Sequence, residues 1–348
     1  MERNGQDLSK KRYLEFDWQN VLFCLIVVFI HSYGTIAIKL NPESLWHIFS
    51  QCILKNCAFV VQGFIFLSGA KYTAAYMNRE FSFGKFLISR IKKVVIPYIF
   101  CTCVYYAVYL RVKIVDVADF TELVGYIFRG DLSAHFYFIL AIVQFYLLMP
   151  LWIFISCKLP SWAILTGGFL IYAVWVVLAF GRAVFYDRIF LSYLPFWAFG
   201  IVFGKDYEKY KEFIIRHLWK LGILYTVLFC LNGFLGQMVL LNGLVHEAIH
   251  TVYAIGTIII TFGIFSRAKG LSSMLISGLN KLSFEIYLWH CLALTIIDLC
   301  IRKMLLPRIS QEIVARVGGI YFVIFAAGLI AGLLLKIKKQ KREKVKLI

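Results

Sequence analysis

Asn20 and His31 stand eleven residues apart in WQNVLFCLIVVFIHSYGTIAI, residues 18–38, a stretch without a charged side chain. At ~1.5 Å rise and ~100° per residue, a helix puts both on one face about 16 Å apart. A histidine two-thirds of the way along a run long enough to cross a bilayer is expensive there: it either hydrogen-bonds a neighbouring helix or marks a functional position. Its imidazole, with an ordinary pKa of ~6.5, suits a general base. His135 opens a second apolar run, HFYFILAIVQFYLLMPLW. Ser283, Glu285 and His290 lie in a third, KLSFEIYLWHCLAL. Ser283 and His290 are two helical turns apart and share a face. Glu285 points elsewhere and is expected to face the bundle interior or be protonated, because a carboxylate against lipid is costly.

Two other patterns invite chemistry. In FLISRIKKVVIPY, Arg90 and Lys93 are spaced one helical turn apart just before an apolar run, with Lys92 between them. Cations so placed can grip phosphates at a membrane boundary, or simply anchor the helix end. His246-Glu247-Ala248-Ile249-His250 spells HExxH, two potential zinc ligands plus a general base. A zinc protease also needs a third ligand beside a flexible turn. The nearest downstream acid, Asp298, has no neighbouring glycine, so the motif reads as polar residues at a helix entrance.

The elements carrying these residues are membrane helices. The chain of 348 residues is 61% hydrophobic and 16% charged, with mean hydropathy +0.78. A soluble domain would carry about 25% charge. Apolar runs near the ~20 residues of a span fall at about 18–38, 48–68, 94–112, 135–156, 161–180, 189–204, 218–241, 248–266, 282–300 and 317–336. They are continuous and not alternating, which excludes a β-barrel. The expected fold is all-α: a polytopic membrane protein of about ten helices, one domain over 1–348 with no separate soluble domain. The net charge of +18 is a topological signal rather than a nucleic-acid footprint. Lys10 to Arg12, Lys71 to Lys93, Lys205 to Lys220 and the tail from Lys336 to Lys346 crowd alternate polar segments. By the positive-inside rule these are cytoplasmic, and so are both termini. The tail fits contact with anionic lipid headgroups. The first apolar run is too long for a signal core and lacks a small-residue cleavage site, so no cleavable signal is expected. All nine cysteines lie in or beside apolar runs and read as small hydrophobes; neither a disulfide nor a metal site is expected from them. Gly328 and Gly332, at GxxxG spacing, read as close helix packing.

Six segments in order resemble the acyltransferase-3 family of membrane acyltransferases, such as O-acetyltransferases of bacterial surface polysaccharides. They are FDWQN…FIHSYG (16–34), FIFLSGAKY (64–72), FLISRIKKVVIPY (86–98), HFYFILAIVQFYLLMP (135–150), LPFWAFGIVFG (194–204) and LSFEIYLWH (282–290). The resemblance covers most of the chain and implies ten helices. It implies transfer of an acetyl or other short acyl group from cytoplasmic acyl-CoA, typically acetyl-CoA, to a hydroxyl of an extracytoplasmic glycan or lipid-linked saccharide. His31 would be the catalytic base, with His290, Ser283 and His135 orienting it or the acceptor. The membrane would be the bacterial inner membrane, and no metal is expected. The family carries an arginine eleven residues before this histidine, where Asn20 stands here, and a proline before LSG, where the chain reads Val60-Val61-Gln62-Gly63. Donor phosphates then fall to Arg90, Lys92 and Lys93, beside Asn20. The competing classes are a glycan or lipid transporter, since buried polar residues also line transport paths, and the zinc protease.

Overall fold

A computed structural model describes residues 13–235, 243–268, 273–304 and 309–346. The described residues form helices and no strand: α1 (Leu14–Ala37), α2 (Leu45–Cys57), α3 (Val60–Tyr76), α4 (Phe83–Arg90), α5 (Ile96–Arg111), α6 (Phe120–Arg129), α7 (Tyr137–Leu147), α8 (Met149–Lys158), α9 (Ser161–Ala179), α10 (Leu194–Lys205), α11 (Tyr207–Leu235), α12 (Gly243–Arg267), α13 (Met274–Met304), α14 (Ile309–Ile313) and α15 (Gly319–Lys346). Among them eight spans are long and apolar enough to cross a membrane; counting the bent pair α7–α8 makes nine, and the apolar helix ending in α10 is shorter. The chain is an all-α polytopic membrane protein. Rows of exposed apolar side chains, such as Leu170, Ile171, Val174, Val177 and Leu178 on α9, supply its lipid-facing surface.

Three interruptions have local causes. The α7–α8 span bends by 58° at Leu148, where Pro150 cannot continue the hydrogen-bond ladder; the Trp152 indole N–H donates to the Phe145 carbonyl at the break, 3.1 Å. Between α4 and α5 the residues Ile91–Val95 form a π-turn, followed by Pro97, whose missing N–H leaves the Lys93 carbonyl without its usual donor. A second π-turn, Val314–Gly318, joins α14 to α15. The segment 113–134, between two apolar runs, contains α6. Asp119 caps α6, accepting from Thr121 N–H at 2.8 Å, and Gly130 at φ 63° ends it.

The helix that carries His31 sits inside the bundle, with α2, α3, α12 and α13 against it. Two close crossings frame that core. A Cβ on Gly200 would stand 2.5 Å from the Phe66 carbonyl, so α10 and α3 touch backbone to backbone. A Cβ on Gly278 would collide with the Gly328 carbonyl, so the small residues of α15 serve packing against α13.

Candidate active site

α1 and α13 run side by side in register, and polar residues meet at two levels. At the first, Asn20 donates to Asn280 Oδ1 (2.7 Å) and to Ser283 Oγ (2.8 Å). Eleven residues on along α1 and seven to ten along α13, the rings of His31 and His290 face each other with centroids 5.1 Å apart. His135 completes the group from the turn before α7, 6.0 Å from His31 and 4.6 Å from His290. Three of the four candidate catalytic residues therefore converge. Ser283 does not: it belongs to the Asn20 level and donates to the Asn280 carbonyl at 3.0 Å.

The three histidines are held differently. His290, buried, has Nδ1 2.7 Å from the Tyr287 carbonyl and 3.2 Å from that of Ile286. Carbonyls only accept, so Nδ1 carries the proton and Nε2 keeps its lone pair. His135, also buried, has Nε2 3.3 Å from the Leu288 carbonyl and Nδ1 3.1 Å from Ser133 Oγ. Its proton is thus on Nε2, and Ser133 donates to Nδ1. His31 is half-buried, and among the described residues its ring nitrogens have no hydrogen-bond partner.

Residues that spacing did not single out build the walls. The Tyr105 hydroxyl donates to the Leu288 carbonyl (2.9 Å) and accepts from Leu292 N–H (2.8 Å). It thus bonds backbone groups two residues before and two residues after His290. Tyr287 donates to the His135 carbonyl and fixes that turn. Arg316, buried in the second π-turn, pairs with Asp298 and lies 3.4 Å from the His31 carbonyl and 3.3 Å from Thr35 Oγ1. Arg316 was legible only as a charge near a helix end. A cavity of about 640 Å³, which none of the three histidines lines, is bounded by Tyr98, Ile139, Leu140 and Gln144 with Arg129 and Arg188. Tyr98 stacks edge-on against Phe136, which packs on His135.

The remaining candidates separate. Arg90 turns inward: it donates to Tyr72 Oη at 2.6 Å and lies over the rings of Tyr72, Phe86 and Tyr146. Lys92 and Lys93 are exposed. The π-turn explains the split, because its wider turn takes Lys93 off the face that an α-helix would share with Arg90. Glu285 is exposed, contrary to its expected inward position; turning His290 into the core carries a residue five positions away outward. In the HExxH segment Glu247 accepts from Tyr172 (2.9 Å) and Tyr186 (3.3 Å), and His250 Nδ1 lies 3.2 Å from Asn232 Oδ1. These partners belong to a polar helix entrance.

The family model described as "Acyltransferase domain", acyltransferase-3, matches residues 13–342. No curated protein and no solved structure matches the chain. With nearly its whole length covered by that match, the chain belongs to the acyltransferase-3 family and is a membrane acyltransferase.

Proposed function

We propose that this acyltransferase moves an acetyl or similar short acyl group from cytoplasmic acyl-CoA to a hydroxyl of an extracytoplasmic glycan or lipid-linked saccharide, in a bacterial inner membrane. The observation that carries the reading is the contrast at the histidine cluster: His290 and His135 each give a ring N–H to a fixed backbone carbonyl, and the second ring nitrogen of each faces Cys291 Sγ or Ser133 Oγ, while the His31 ring has no hydrogen-bond partner among the described residues. His31 takes the proton of the acceptor hydroxyl. The oxygen attacks the thioester carbonyl, the tetrahedral intermediate expels the CoA thiolate, and His31 returns the proton to that sulfur. His290 and His135 shape the cleft around the base. Lys92 and Lys93, exposed at the cytoplasmic boundary, supply charge for the CoA phosphates, and Arg90 and Asn20 support the helices behind them. The 640 Å³ cavity is within the size range of a small-molecule site and has room for the acceptor's apolar part.

The test is acyl transfer by purified protein from acetyl-CoA to a hydroxyl acceptor, with mass spectrometry of surface glycans as the cellular readout. His31→Ala and His31→Gln are expected to lose about 10²–10⁴-fold in rate at unchanged expression, as for loss of a general base. His246→Ala is expected to retain transfer. A His31→Ala protein that acylates as fast as the parent overturns the mechanism.

A further inference from the structure

The acyl-transfer reading leaves one thiol at the cluster unused. Cys291 Sγ lies 3.3 Å from His290 Nε2, the ring nitrogen that bears no proton. The donor atoms of His31, His290 and Cys291 all lie within 4.8 Å of one another, the one such group of three among the described residues. The surroundings suit a metal. His290 gives its N–H to a backbone carbonyl and aims its lone pair at the cluster, the usual arrangement of a metal-bound imidazole. Zinc bonds of about 2.0–2.3 Å place tetrahedral donors roughly 3.3–3.8 Å apart, so the His290–Cys291 pair already fits. Only His31 must close up, and its ring has no hydrogen bond among the described residues to give up. His135 contributes no ligand, since both its nitrogens are engaged. The fourth position stays open to water. Two imidazoles and a thiolate are a borderline-to-soft set that selects zinc over magnesium or calcium. Arg316 adjoins the site, but its charge is paired by Asp298.

We propose that His31, His290 and Cys291 form a zinc(II) site whose occupation inhibits acyl transfer. Binding releases the Cys291 proton to solvent and places the metal on the lone pairs of His31 and His290. A coordinated His31 cannot accept the acceptor's proton. The inhibition therefore rests on His31 being the base, whereas the metal site itself does not.

Cobalt(II), a coloured zinc analogue, separates the two claims. Metal-free full-length protein in detergent is titrated with cobalt and then with zinc. One cobalt per chain is expected, with a thiolate-to-cobalt absorption that zinc displaces. Cys291→Ser and His290→Ala are expected to weaken binding by more than about 100-fold, beyond the 10–100-fold typical of an outer-shell loss. Cys103→Ser, at an exposed cysteine, is expected to keep the absorption. His31→Gln gives an independent arm should Cys291→Ser fail to fold. Full absorption in Cys291→Ser, or in His31→Gln, overturns the site. Zinc is expected to stop acyl transfer by the parent, with recovery on chelation. Intact cobalt absorption with zinc-insensitive or zinc-stimulated transfer leaves the site standing and overturns the inhibition together with the base role of His31.

Discussion

His31 and Arg316 show how single side chains set up the site. The α1 backbone at His31 is engaged by Arg316, which also reaches Thr35 and is itself paired with Asp298 on α13. One guanidinium thus ties three helices beside an imidazole that has no hydrogen bond among the described residues. The Asp298 side chain keeps 33% of its surface exposed, against 10% for Arg316. Breaking a fully buried ion pair from one side costs about 3–5 kcal/mol, and Asp298's exposure lowers that here to roughly 2 kcal/mol. Arg316→Ala is therefore expected to lower the thermal unfolding midpoint in detergent clearly, and Arg316→Ala with Asp298→Ala to recover part of the loss, because no lone carboxylate remains. Equal midpoints for parent and single variant would remove the structural role given to Arg316. None of this was readable from spacing: residues 18 apart in sequence, or 285 apart for Arg316 and His31, meet only through tertiary packing.

At the scale of helices, much of the candidate site could be read from periodicity. The eleven residues from Asn20 to His31 on α1 run beside the seven from Ser283 to His290 on α13, and parallel packing turns both spacings into two polar levels. His135 and His290 stood out because each opens or sits in an apolar run. Periodicity failed where the helix stopped being α. Arg90 and Lys93 were expected on one face, but the π-turn at Ile91–Val95 sends Arg90 into a cage of Tyr72, Phe86 and Tyr146 and leaves Lys92 and Lys93 outside. The two roles should separate experimentally. Lys92→Ala with Lys93→Ala is expected to weaken acetyl-CoA binding about 2–10-fold at low salt, with the difference shrinking as salt screens exposed charges. Arg90→Ala is expected instead to lower the unfolding midpoint, since it vacates the aromatic cage. Unchanged acetyl-CoA affinity in the double lysine variant at low salt would return both residues to anchoring the helix end.

For the whole molecule, long continuous apolar runs made the all-α membrane fold legible, because a lipid interior leaves helices as the only structure for such runs. The short run at 189–204 was also legible, matching the short apolar helix that ends in α10; what hydropathy missed was the 58° bend in α7–α8 at Pro150 and the extra helix α6, capped by Asp119. Orientation is a separate matter, argued from charge alone. Lysine and arginine crowd 71–93, 205–220 and 336–346, whereas 113–134 holds only Lys113 and Arg129. With those segments cytoplasmic, as the positive-inside rule proposes, the His31 level of α1 would fall in the outer half of the membrane and the Asn20 level in the inner half. An acyl group entering from cytoplasmic CoA and an acceptor arriving from outside would meet at His31. Single cysteines introduced into a background with the exposed Cys103, Cys157, Cys230 and Cys300 replaced by serine test this arrangement in intact cells. A membrane-impermeant maleimide is expected to label a cysteine at Asp116 and to spare one at Glu212 until the cells are opened. Labelling at Glu212 from outside would invert the chain, carry the histidine cluster to the inner half, and leave an outward-facing acceptor without access to the proposed base.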